Sequence, residues 1–427
     1  MALSNILAVN FGASGPRCVQ VVVDGNAYSF DRQTHFKVDA PDVEREGFVN
    51  ALRTRVKFGY DFVSIGAAGP VKDGANGKVC VISNLGYRLD ANDISCDLGK
   101  PVFLCNDIPP MIAGASIAME RNPQSSFLIN EGIKPIQNSG ARIAIAPGTG
   151  LGFGYSLSDG MMELIGKSEA GHSQFAGTNF KPTMLIEELL LKYMEDKYSR
   201  ANIVTWEYLL KGDAIRDILN FVRAITRNEI AHFVVKKRTP EIIKELVQSF
   251  DIPQQLDLVL DEGDDALSIA ALKEYRNDLF DLVVLEDKER IDRNKLISLL
   301  ANEGQLVHCV VALSVWQRLL GLYTGQNIHH HLPEMGVFIG GSPVYGSEGA
   351  LTHPETRLAP FTFKAGLTCR ENEAFSTLAT EFPIFGQRND DGFFYGLGRL
   401  ATSKFIDLAD GKRTMLVADE ITPIRLV

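Results

Sequence analysis

Short apolar runs broken by glycine turns dominate the first third of the chain. Residues 5–10 form an apolar strand, a Gly-rich turn follows, and 18–23 is a β-branched run. Asp24-Gly25-Asn26 supplies a tight hairpin turn into a strand at 28–30. Helical spacing with mixed charge covers 41–58, and further strands are read at 62–67, 78–82 and 101–104. The last of these runs directly into Asn106-Asp107 and an apolar helix over 111–119. A second unit opens at Ala141, with a strand over 141–146, a glycine turn over 147–152, and a hairpin of 153–157 and 161–165. From Pro182 to about Gly325 the pattern is almost wholly helical, with Pro182 in a first turn and Thr205 and Asp213 as N-caps. A strand at 335–339 ends in Gly340-Gly341-Ser342, and the tail adds a strand at 382–385 and a helix over 391–404. No sequence repeat is visible. Two strand-rich units, each followed by helices, predict an α/β protein with two lobes.

Composition narrows the class. The 427 residues suffice for two or three domains, and 45% hydrophobic with 22% charged residues is ordinary for a globular protein. A net charge of −10 makes nucleic acid and anionic membrane poor expectations as partners. Six widely spaced cysteines (18, 80, 96, 105, 309 and 369) offer neither a CxxC pair nor a disulfide scaffold. Residues 1–11 lack a secretory signal pattern, and the most apolar long segment, 306–322, is interrupted by His308, Gln317 and Arg318. A core helix there and a reducing cytoplasm are the expectations. The acidity is local: residues 251–290 hold 12 acidic and 4 basic side chains, which suits a solvated helical face or a partner surface.

Chemistry concentrates at strand ends. Three glycine turns follow strands: Asn10-Phe-Gly-Ala-Ser-Gly-Pro-Arg17, Pro147-Gly-Thr-Gly-Leu-Gly152 and Gly340-Gly341. Glycine lets backbone N–H groups approach an anion, so such turns suit phosphate as well as plain hairpins. Neither P-loop nor Rossmann spacing is present. Asp107, at a strand's C-terminal end, is placed either to take a hydroxyl proton or to cap the next helix. Asn106 and the Glu169-Ala-Gly-His172 segment offer donors and acceptors to adjacent hydroxyls. Glu207 opens a helix, where the dipole also favours its charge. His329-His330-His331 is read as a loop after a helix, and no metal site is assigned.

Taken in order, these segments resemble the bacterial-type glucokinases of the actin and hexokinase superfamily. The resemblance runs from Leu7 to Leu400 and thins between about 223 and 302. It rests on Asn106-Asp107, Pro147-Gly-Thr-Gly-Leu-Gly152, Glu169-x-Gly-His172, Glu207 before Leu-Leu-x-Gly, Val337-Phe-Ile-Gly-Gly341 and the stretch 392–400. It implies a ribonuclease H-like, actin-like ATPase fold with a small lobe of 1–108 and 391–427. The large lobe would be 109–390, with a helical insertion at about 223–302. It also implies transfer of the γ-phosphoryl of ATP, with Mg2+, to the 6-hydroxyl of glucose, in the cytoplasm, with a homodimer as an expected assembly. By that resemblance Asp107 is the base, and Asn106, Glu169, His172 and Glu207 bind the sugar. Gly12 and Ser14 lie in the first phosphate loop, Gly148, Thr149 and Gly150 in the second, and Gly340 and Gly341 in the adenosine segment.

The first loop departs from the family pattern. Asp-x-Gly-Gly-Thr becomes Asn10-Phe-Gly-Ala-Ser14, which keeps the shape but loses a carboxylate suited to magnesium's water shell. Pro16 alters the same turn, and Gln174 stands where the family usually has Asp. Two readings follow: a glucokinase, favoured because base and sugar ligands are present together, or a weakened sugar- or nucleotide-binding protein serving regulation.

Overall fold

The computed structural model describes residues 3–12, 15–25, 27–82, 85–175, 177–178, 181–198, 203–226, 307–345, 347–352, 361–369, 373–407 and 415–417. Most of the expected insertion at 223–302, the acidic stretch 251–290 and Ser14 lie outside these residues.

Alternation along the first strand fixes the first sheet. Strand β1 (Ser4–Gly12) turns Leu7, Val9 and Phe11 to one core and Ile6 and Ala8 to another. It pairs antiparallel with β2 (Gly15–Asp24), which pairs with β3 (Ala27–Lys37). On its other side lie β4 (Phe62–Ala67) and β8 (Val102–Asn106), both parallel, so the order is β3-β2-β1-β4-β8. Helices α1 (Ala40–Glu46), α2 (Phe48–Arg55) and α3 (Ala91–Leu98) cover one face. The single helix expected over 41–58 is two, because Gly47 at φ 81° breaks it. A small sheet of β5 (Val71–Asp73), β6 (Lys78–Val81) and β7 (Arg88–Asp90) completes this part.

The second sheet repeats the order. Strands β10 (Gly140–Pro147), β11 (Leu151–Ser158) and β12 (Glu163–Ser168) form an antiparallel meander, and β13 (Val337–Ile339) and β14 (Ile384–Gln387) add parallel to β10. The series β12-β11-β10-β13-β14 therefore matches β3-β2-β1-β4-β8 in order and direction. Edge strands β9 (Ser126–Asn130) and β15 (Met415–Val417) extend it.

Each fifth strand leads into a helix: β8 into α4 (Ile108–Arg121) and β14 into a helix over Asp391–Thr402. These two helices cross at glycines. A Cβ on Gly114 would strike the carbonyl of Gly392, and one on Gly396 that of Pro110. Beneath them Glu163 binds Arg142 at 2.8 Å, Arg399 at 3.2 Å and the Ser156 hydroxyl at 2.6 Å. Arg142 and Arg399 in turn donate to the carbonyls of Ile112 and Ala113 in α4.

Further described helices include α5 (Lys181–Tyr198), α6 (Trp206–Leu210), α7 (Ala214–Thr226) and α8 (Val307–His331), with shorter ones and a helix over Glu373–Glu381 after them; the helix over Asp391–Thr402 is called α9. The core-helix expectation at 306–322 holds for the residues described, since Cys309 and residues 311–323 of α8 are buried. The histidines 329–331 are its last turn, not a loop. His331 stacks on Tyr155 at 5.1 Å and lies tilted against Phe153 at 5.4 Å, contacts that pack the last turn of the helix.

The chain divides into two compact units: Met1–Gly171 with Asn327–Tyr345 and Thr380–Val427, and His172–Gln326 with Gly346–Ala379. These bounds differ from the lobes drawn at 108 and 391. Both sheets, α4 and α9 share one contiguous core, with Ile6, Val21, Ile112, Ala144, Phe338 and Leu397 among its members.

Candidate active site

In the first unit, β8 delivers Asn106 and Asp107 at its C-terminal end, where α/β sheets present ligand sites. The cap position of α4 falls on Asp107, yet its carboxylate makes no cap bond. Asn106 does that work: its Oδ1 accepts the Ile108 amide at 3.0 Å, while its Nδ2 donates to the Gly69 carbonyl at 3.0 Å. The second N–H of that amide faces the Asp107 carboxylate, and one lone pair of its Oδ1 remains for another partner. Asp107 is thus released from the capping role and is half-buried. Burial, reinforced by the charge of Glu169, pushes its carboxyl up to about 6, against hydrogen bonds from its own backbone and from Asn106. The Asp107 charge also adds to the burial that holds the Cys80 thiol near 11.

Glu169 is exposed and begins the turn Ala170–His172. The buried Gly171 inside this turn packs on the Leu151 carbonyl, which leaves no room for a Cβ. Asn106, Asp107 and Glu169 therefore come together within the first unit.

In the second unit, His172 Nε2 lies 3.8 Å from Glu207 Oε2, so these two predicted residues also meet. A short ladder fixes them. Gln174 bridges Thr205, Trp206 N donates to Ser173 O at 3.1 Å, and Phe175 N to Val204 O at 2.9 Å. Phe175 packs edge-on against Trp206, which packs on Tyr323. Thr205 holds the N-cap position of α6 but its hydroxyl caps nothing; its buried Oγ1 has no partner. The ladder to Gln174 holds that residue instead. A buried pair, Glu187 and Arg318 at 3.0 Å, anchors Thr178 beyond the same segment.

The glycine turns have different physical grounds. Gly12 faces Gly15 across the β1–β2 hairpin, and a Cβ on Gly12 would meet nothing within 4 Å. Gly148, Thr149 and Gly150 join β10 to β11 at the equivalent place in the second sheet, closed by Gly148 N to Gly150 O at 2.8 Å. The space at Gly148 is likewise open. Gly341, at φ 110°, packs on the Pro147 carbonyl, so the third turn abuts the second. Gly340 N donates to Ile145 O at 2.9 Å, and its Cα faces the Gln387 side chain.

The sequence reading passed over Asn389-Asp390. The signal was present: it repeats Asn106-Asp107 between a strand and a helix.

A family profile described as glucokinase matches residues 44–355. The chain belongs to the glucokinase family. A glucokinase of Trichormus variabilis is 26% identical over 223 residues, 51% of this chain and 61% of its own length. One of Nostoc punctiforme is 32% identical over 143 residues, 33% of this chain and 39% of its own. The matches thus span about three-fifths of those relatives or less. Among solved structures, glucokinase from an Antarctic psychrotroph is similar with a TM-score of 0.59 at 16% identity, covering 92% of this chain and 98% of that one. Glucokinase from Balamuthia mandrillaris, solved with glucose, has a TM-score of 0.62 at 14% identity, covering 93% of each. A Streptomyces griseus glucokinase solved with glucose and AMPPNP has a TM-score of 0.51 at 18% identity, covering 93% of this chain and 98% of that one. At these identities the likeness establishes the fold, that of the actin-like ATPases. No described helix is long and apolar enough to cross a membrane.

Proposed function

We propose that the protein phosphorylates glucose at its 6-hydroxyl with ATP, using Asp107 as the general base. The observation that carries this is the state of Asp107: half-buried at a strand end, excused from capping by Asn106, and raised to about 6. A base of that strength is ionised at neutral pH and still accepts a proton readily. As the sugar oxygen bonds to phosphorus, its proton passes to the Asp107 carboxylate and the bond from phosphorus to the ADP oxygen breaks. Asn106, Glu169, His172 and Glu207 are assigned to the sugar hydroxyls. An unpaired buried polar group costs about 1–3 kcal/mol with a wrong ligand, which gives such a set its selectivity. Gly12, Ser14 and Gly148 to Gly150 are assigned to the phosphates, and Gly340 and Gly341 to the adenosine. The open space at Gly12 and Gly148 supports the phosphate assignment, since no packing there demands glycine.

Magnesium fits this reading as a companion of ATP. Among the described residues no three His, Cys, Asp or Glu side chains gather into a cage. Mg2+ commonly keeps several waters and is held largely by the substrate phosphates, which leaves Asp107 free to act as the base. Bound to the ATP phosphates, it would neutralise their charge.

A coupled assay with glucose, ATP and Mg2+ tests the proposal. Turnover is expected, and Asp107→Asn is expected to abolish it while glucose still quenches tryptophan fluorescence. Sugar binding without turnover in the wild type would favour the binding-protein reading, which the neutral Asn10 recommends. The same reading takes the cytoplasm as the setting and a homodimer as the assembly; light scattering reads the latter.

A further inference from the structure

The repeated strand order carries a second Asn-Asp pair. Asn106-Asp107 stands between β8 and α4, and Asn389-Asp390 between β14 and α9, the same place in each half. The local bonding repeats as well. Asn106 Oδ1 accepts the Ile108 amide at 3.0 Å, and Asn389 Oδ1 accepts the Asp391 amide at 3.0 Å. Each pair leaves its aspartate, Asp107 or Asp390, at a helix cap position without a side-chain cap bond.

Among the described residues Asp390 forms one ion pair. Arg17 Nη1 lies 2.6 Å from Asp390 Oδ2, an ionic contact without hydrogen-bond alignment. Arg17 is directly opposite Asn10 in the β1–β2 ladder, two pairs below the turn closed by Gly12 and Gly15. Side chains so opposed are immediate neighbours. Asn10 is 9% exposed, and its amide has no hydrogen-bond partner among the described residues. The neighbouring turn joins the group through Tyr345. Its N–H donates to Gly341 O at 3.2 Å, and burial with the charges of Asp390 and Asp391 pushes its phenol up, against Arg17.

We propose that Asp390 is a positioning residue for the nucleotide's phosphates: it anchors Arg17 at the first glycine turn and supplies the negative charge that Asn10 lacks. The inference rests on the phosphoryl-transfer reading. A neutral amide at position 10 does not hold a guanidinium by charge. The carboxylate instead arrives from the second half of the fold, at the position that in the first half carries the base. Arg17, held at one corner, keeps its other N–H donors for an anion.

Titration of the full-length protein with a fluorescent ATP analogue, with and without Mg2+, tests this. Asp390→Asn is expected to weaken binding about tenfold and to raise the KM for ATP, leaving the KM for glucose unchanged. Adding Asn10→Asp to that variant is expected to recover most of the loss, since a carboxylate opposite Arg17 replaces the missing partner. Asp390→Glu, which keeps the charge, is expected to bind close to wild type. A merely structural aspartate at the start of α9 would not be rescued from β1. Unchanged binding in Asp390→Asn, no recovery in the double variant, or equal loss in Asp390→Glu would each overturn the inference. Absence of any nucleotide binding by the wild type would instead remove the phosphoryl-transfer reading, and this inference with it.

Discussion

Asp107 illustrates how a carboxyl's pKa rises when it is relieved of another duty. An aspartate before a helix normally accepts the first amides, which stabilises its charge and lowers its pKa. Here Asn106 takes the Ile108 amide, and burial with Glu169 pushes Asp107 the other way, from 3.8 to about 6. The sign of the consequence is fixed by linkage. The folded protein holds this proton more tightly than the unfolded chain, so Asp107 has no net effect below about pH 4. It becomes destabilising as pH rises through 6, by on the order of 2–3 kcal/mol. Asp107→Asn is therefore expected to raise the melting temperature at pH 7.5, with the gain shrinking toward pH 4. A melting temperature lowered equally at both pH values would contradict the burial of this charge. For the wild type, kcat/KM is expected to fall as pH drops through about 6, while a profile flat from pH 5 to 7 would exclude Asp107 as the base.

At the scale of elements, the glycine turns and the last turn of α8 offer separate tests. Gly341 combines φ 110° with direct packing on the Pro147 carbonyl. Any Cβ there strains the backbone and parts the second and third turns. Gly341→Ala is expected to cost about 2–4 kcal/mol in denaturant unfolding and to weaken nucleotide binding. A loss below about 1 kcal/mol would show that the turn adjusts. His331, stacked on Tyr155 and Phe153, has its pKa lowered by burial and by His330. A base with a depressed folded pKa contributes stability that is present above its unfolded value and lost as pH falls below it. Stability is thus expected to decline below about pH 6.5 by an amount that His331→Phe removes, as read by urea midpoints across pH.

For the molecule as a whole, the repeated strand order explains both what the sequence disclosed and what it hid. Strand ends, glycine turns and Asn106-Asp107 were readable because each is a local pattern: apolar alternation, then small residues, then polar ones. The histidines 329–331 were misread for the converse reason. The rings that pack this last turn of the helix, Tyr155 and Phe153, are more than 170 residues away. The two halves share a topology and, in sequence, little beyond the Asn-Asp pair, so the equivalent places of Asp107 and Asp390 are fixed by the strand neighbours. The same holds for Glu163. Nothing near it in sequence announces that Arg142 and Arg399 converge on it and on the α4 carbonyls behind Asp107.

The sequence by itself determined the class, the strand-to-turn-to-helix grammar and the candidate site residues, because hydrophobic period, glycine placement and side-chain chemistry are written locally. Tertiary structure decided that Asn106 rather than Asp107 caps α4, that His172 meets Glu207, and that the charge missing at Asn10 has a counterpart in Asp390 beside Arg17. Each of those depends on which distant backbone stands next to which. Burial, charge proximity and strand pairing are properties of that arrangement and of no residue alone.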